Sequence, residues 1–104
     1  MTQDRFEQSS GNVFADMGLE NPDELMVRAQ FGHAVRKILE DKGYKQREIA
    51  ILLDIDQSEV SRLMNGKYHL FSEGRLLVFL NRLDQKIIMH IEPRQKGEQA
   101  LELV

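Results

Sequence analysis

Apolar positions recur at spacings of three and four along most of this chain and change to a spacing of two only near its end. Leu25, Ala29, Gly32, Val35, Ile38 and Leu39 share one face of a helix. "NPDEL" (Asn21 to Leu25) opens that helix. Asn21 serves as N-cap, Pro22 takes the first position, where no amide donor is needed, and Asp23 and Glu24 complement the positive end of the helix dipole. Glu24 stands three residues after Asn21, the place of a capping-box partner. Gly43 ends the helix, because glycine adopts the left-handed backbone without strain. Upstream, "GNVFADMGL" (Gly11 to Leu19) predicts one helical turn closed by Gly18, with Val13, Phe14, Met17 and Leu19 as its apolar contacts. Residues 1–10 are polar and are expected to be disordered.

Two short helices follow, at about 46–53 and 57–65, joined by a tight turn. Asp56 caps the second, Glu59 holds the reciprocal capping-box position, and Gly66 stops it. Ser72 caps a fourth helix whose Leu76, Leu77, Phe79, Leu80 and Leu83 are expected to face inward. Then the period changes. "KIIMHIE" (Lys86 to Glu92) alternates, with Ile87, Met89 and Ile91 on one side and Ile88 and His90 on the other, which predicts a strand ended by Pro93. Everything before it reads as helix, so this strand has no partner in its own chain. Unpaired N–H and C=O groups along an apolar strand are costly. Pairing with the same strand of a second copy about a two-fold axis is the expected solution, with residues 86–93 as the dimerisation strand and 94–104 as a flexible tail.

Now place the two short helices in space. With Ile49, Ala50, Leu53, Ile55, Val60 and Leu63 turned inward, Gln57, Ser58, Ser61 and Arg62 must line the opposite face of the second helix. Glutamine can pair bidentately with adenine, arginine with guanine, and serine with either. These residue types at the N-terminal end of a helix suit the reading of base edges in DNA.

Charge alone would not announce this. The chain carries −3 overall, but residues 1–27 hold six acids against Arg5, a net −5, and the remaining residues carry 13 bases against 11 acids, a net +2. Basic residues are therefore available for local phosphate contacts. At 104 residues, 41% hydrophobic and 30% charged, the chain suits one domain with a small core, and it has no cysteine for a disulfide, a thiolate metal site or a nucleophile. The polar N-terminus carries no apolar run for a signal peptide or membrane span, so a cytoplasmic protein without membrane contact is expected. His33, His69 and His90 fall on three different elements without ligand spacing, and there is no glycine-rich phosphate loop. No enzymatic role, metal or cofactor is expected.

The stretch from Gln46 to Asn65 resembles the helix-turn-helix of lambda-repressor-like (Xre family) regulators, at Gln46, Ile49, Ala50, Leu53, Ile55, Val60 and Leu63. "QSEVSRLMNGK" (Gln57 to Lys67) is the most specific part. The resemblance implies a mainly α fold, a lambda-repressor-like bundle of four to five helices over residues 11–85, with the second short helix in the major groove. It makes Gln57, Ser58, Ser61 and Arg62 base-facing and gives Gln46 and Asn65 contacts to backbone phosphate; Lys45 and Lys67 complete the expected DNA-binding set. "GNVFADMGLENPDEL" and "FSEGRLLVFLNRLDQKIIMHIEP" on either side are similar to a HigA-like antitoxin subgroup and its stand-alone relatives. That similarity implies a homodimeric repressor on a pseudo-palindromic operator, often paired with a RelE-like ribonuclease toxin. Val13, Phe14 and Met17 as apolar anchors, with the acid Asp16 among them, are the candidate contacts for such a basic partner. The alternatives are a stand-alone regulator without a toxin and an interaction module that mainly neutralises one. Three positions depart from the family pattern: Lys45 stands where Ser or Thr usually caps, and Asp54 and Asp84 replace turn glycines. Aspartate tolerates the left-handed conformation better than most residues.

Overall fold

The computed structural model describes residues 21–103. The expected turn at 11–19, with Val13, Phe14, Asp16 and Met17, lies outside them. Among the described residues the chain forms α1 (Pro22–Lys42), α2 (Gln46–Leu53), α3 (Gln57–Met64), a 3-10 turn (Tyr68–Leu70) and α4 (Glu73–Arg82). The boundaries follow from local chemistry. Asn21 Oδ1 accepts from the Asp23 N–H at 2.7 Å, and Gly43, at φ 71°, turns the chain out of α1. Glu24 lies 3.6 Å from Arg28, one helical turn on. Ser72 Oγ accepts from the Arg75 N–H at 3.1 Å and starts α4. Asp54 and Asp84 take left-handed φ values of 56° and 59°, in line with the expectation for both.

These helices pack around a single core. Val35 and Leu39 of α1, Ile49 and Leu53 of α2, and Val60 and Leu63 of α3 are all buried, as is Ile55 in the turn between α2 and α3. Phe71 and the α4 residues Leu76, Phe79 and Leu80 close the far side, with the two phenylalanine rings edge to face at 5.8 Å. The largest packed surface joins α1 to α4. It is pinned by Arg28, whose Nε donates to Glu73 Oε1 at 3.1 Å and whose Nη1 donates to the His69 carbonyl at 2.9 Å. Gly32 is needed for close approach, because a Cβ there would overlap the Tyr68 ring.

Three expected core positions are not core. Leu77 is exposed, since it sits about 100° around the helix from Leu76 and the inward row is 76, 79, 80 and 83. Leu25 and Ala29 are also exposed among the described residues. At about 1.5 Å per residue, α1 spans roughly 31 Å, more than twice the length of α2 or α3, and its buried residues, Gly32, Val35 and Leu39, all lie in its later turns.

The end of the chain behaves differently. Gln85 donates its N–H to the Leu80 carbonyl and closes α4, after which residues 86–93 run without any assigned strand in this single chain. Ile88, Met89 and Ile91 are 82%, 74% and 91% exposed, and Ile87 39%. A strand is defined by ladder bonds to a neighbour, and the helical body offers no sheet edge. Further on, the tail is locally ordered: the Gln95 N–H donates to Glu98 Oε1 at 2.7 Å around a left-handed Gly97. No helix among the described residues is long and apolar enough to cross a membrane.

Candidate nucleic-acid interface

The two short helices owe their starts to different devices. Lys45 precedes α2 and has no side-chain acceptor, so Glu48 reaches back and accepts the Lys45 N–H at 2.7 Å. That half of a capping box compensates for a missing cap worth roughly 1 kcal/mol. Lys45 and Gln46 are thereby left exposed at the first turn of α2. The chain then turns through Asp54, with the Ile55 N–H donating to the Ala50 carbonyl at 3.0 Å. Asp56 Oδ1 accepts both the Glu59 N–H at 2.8 Å and the Ser58 hydroxyl at 2.7 Å, which fixes the N-terminus of α3. Those bonds, the Glu59 N–H first, hold the Asp56 carboxyl below the usual carboxylate range, and the nearby Arg62 charge lowers it further.

Val60 and Leu63 bury one side of α3 completely. Gln57, Ser58 and Arg62 are exposed on the other side, and Ser61 is half-buried beside them. All four sequence-predicted base-facing residues therefore share one surface. Gln57 and Arg62 make no side-chain hydrogen bond to any described residue, so their donors remain available. Ser58 is committed to Asp56. Asn65 Nδ2 donates to the Ser61 carbonyl at 2.7 Å and lies 3.2 Å from Ser61 Oγ, so in the free chain it closes α3. Lys67 follows the left-handed Gly66 and remains exposed.

Glu59 does more than its capping-box position proposes. The Asp56 backbone N–H helps hold its carboxylate, as the capping-box position implies, but it is a minor partner. The Glu59 carboxylate accepts from Arg75 Nη1 at 2.5 Å, across to α4. The Arg75 guanidinium in turn stands 5.4 Å and 5.5 Å from the centroids of Phe71 and Phe79. The hydrogen bond from Arg75 is the main reason the Glu59 carboxyl is held below its ordinary range, against a smaller opposing effect of burial. The partners are 16 residues apart, and no local pattern signals the pairing. The Glu48 contact, by contrast, carries a local signal, a Glu three residues after the N-cap position, that the sequence-based expectations did not use. No group of His, Asp or Glu that could hold a metal ion occurs among the described residues.

Comparison with known proteins agrees with this geometry. Residues 13–92 match the family described as helix-turn-helix domain. A solved structure that carries the name of an XRE-family transcriptional regulator superposes with a TM-score of 0.69 at 29% identity, covering 80% of this chain and 96% of its own. No curated protein sequence matches the chain.

Proposed function

Because the chain belongs to the helix-turn-helix domain family and is a DNA-binding transcriptional regulator, we propose that it represses from a pseudo-palindromic operator as a homodimer, with α3 in the major groove. The observation that carries this reading is the exposed polar face of α3, where Gln57 and Arg62 keep their donors free beside a fully buried apolar side. Arg62 and Gln57 read base edges. Gln46, Lys45 and Lys67 hold phosphates at the ends of the two helices, and Asn65 joins them once its amide exchanges Ser61 for phosphate. Residues 86–93 supply the two-fold: paired with a second copy, they give Ile87, Ile88, Met89, His90 and Ile91 the ladder partner that a single chain lacks. Two such recognition helices would meet successive major grooves about 34 Å apart.

Competition binding against single-base variants of a selected operator tests the assignment. Arg62→Ala is expected to cost about 1–3 kcal/mol and to relax preference at one base position, whereas Gln46→Ala weakens all sequences alike. Base preferences untouched by Arg62→Ala would refute the role given to Arg62.

We also propose that the regulator is the antitoxin of a type II pair and represses its own operon. The support is the likeness of the flanking segments to HigA-like antitoxins and the net −5 of residues 1–27, which repels DNA and attracts a basic ribonuclease. Co-purification with the product of the adjoining gene supports that role. If no ribonuclease-like product is encoded there, the stand-alone regulator is the right reading.

A further inference from the structure

At about 100° per residue, Glu59 falls on the flank of α3, between the core row of Val60 and Leu63 and the polar face that ends at Arg62. Glu59 and Arg62 are three residues apart, the spacing at which oppositely charged helix neighbours pair. Left to themselves they would neutralise each other. In this structure they do not: the Glu59 carboxylate is drawn sideways to Arg75 Nη1 and is only 22% exposed. Arg75 is well anchored for that task. Its backbone N–H is bound by the Ser72 cap, and its guanidinium lies against the rings of Phe71 and Phe79.

We propose that Arg75 is a positioning residue for DNA reading, which holds the Glu59 carboxylate against α4 and so leaves the Arg62 guanidinium free to face a base. The proposal rests on the DNA-binding role of α3 given above. The charges make the case. An ionised carboxylate at the margin of the recognition face lies within a Debye length, about 8 Å at physiological salt, of any phosphate that approaches that margin. Paired with Arg75 it is electrically neutralised and turned away. Released, it has two harmful options: it captures Arg62, or it repels the DNA backbone. Either way DNA binding suffers although no DNA-contacting residue has changed.

This predicts opposite consequences for the two halves of one ion pair. Binding of the full chain is measured by fluorescence anisotropy on a duplex that the wild-type protein has enriched from a random-sequence pool, with single-base variants as competitors. Arg75→Met is expected to bind about three- to tenfold more weakly and to lose discrimination at the base read by Arg62. Glu59→Gln is expected to bind like the wild type. The double variant Arg75→Met/Glu59→Gln is expected to recover to within about twofold of wild-type affinity, with base discrimination restored. A pair that merely supports the fold gives a different pattern, in which Glu59→Gln is as damaging as Arg75→Met and the double variant shows no recovery; that pattern overturns the proposal, as does wild-type binding by Arg75→Met. Thermal melts establish that each variant is folded at the binding temperature. Should Arg75→Met be too unstable, the charge-swapped chain Glu59→Arg/Arg75→Glu replaces it. That chain carries no carboxylate at the margin of α3, so affinity at or above the wild-type level is expected, and weaker binding refutes the role of Arg75. A wild-type chain that enriches no duplex overturns the DNA-binding reading and this proposal together.

Discussion

Residues 46–82 and residues 86–93 draw on the same aliphatic side chains and treat them in opposite ways. Within the helical body, Ile49, Val60, Leu63 and Leu76 are at most 1% exposed. A few residues further on, Ile88 and Ile91 are more than 80% exposed. Composition does not separate the two regions; the availability of a partner does. Helices satisfy their own backbone hydrogen bonds and need a neighbour only for their apolar stripe, which another helix of the same chain supplies. An extended segment needs a neighbour for both its backbone and its side chains. This chain has no sheet edge among its described residues to offer. The first region is therefore complete in one copy; the second is not, and the proposed pairing with a second copy would complete it.

The largest effect expected from testing this contrast is in the body. Leu76→Ala empties a fully buried site of α4 in the core and is expected to destabilise the fold by about 2–5 kcal/mol, read as a lower urea midpoint with unchanged slope. If the loss were well under 1 kcal/mol, α4 would not be integral to the core. Met89→Pro is expected to act the other way round. It deletes one ladder donor per chain from a segment whose side chain is 74% exposed. The helical body should melt within a few degrees of the wild type while sedimentation shows a monomer and tight operator binding is lost. A Met89→Pro protein still dimeric at micromolar concentration would place the dimer contact on the helices instead. The smallest effect concerns acid. Asp56 has its carboxyl lowered in the folded state by the Glu59 N–H and the Ser58 hydroxyl, so its contribution is present above the ordinary carboxylate range and is lost as pH falls through the lowered value. Asp56→Asn keeps an N-cap acceptor but removes the titration. Its urea midpoint should therefore decline less steeply than the wild type's between about pH 5 and about pH 3. Parallel declines would show that other carboxylates govern the acid limb.

Legibility in the sequence followed the range of the interaction. Asn21, Asp56 and Ser72 could be read as caps because an N-cap bonds to an amide two or three residues away. Asp54 and Asp84 could be read as left-handed turns because the strain is a property of the single residue. The exposed face of α3 was readable for a similar reason: once Val60 and Leu63 are inward, helical geometry leaves Gln57, Ser58, Ser61 and Arg62 nowhere else to point. Leu77, Leu25 and Ala29 depart from the expectation because an apolar residue at a plausible phase is buried only where a neighbouring element reaches it. The Arg75 partner of Glu59 was not legible, because it comes from another helix.

What this sequence determines by itself is the set of helices, their ends and the side of each that seeks a core, since these depend on contacts within one or two turns and on a period of 3.6 residues. Only the tertiary structure decides which charged groups meet. Arg28 bridges to Glu73 and the His69 carbonyl, and Arg75 meets Glu59, because packing α4 against the other helices brings those side chains within a few ångströms of each other. Ion pairs are short-ranged in water and indifferent to sequence separation, so their partners are set by where the backbone has already been placed. The apolar periodicity places the backbone, and the placed backbone then selects which arginine faces outward.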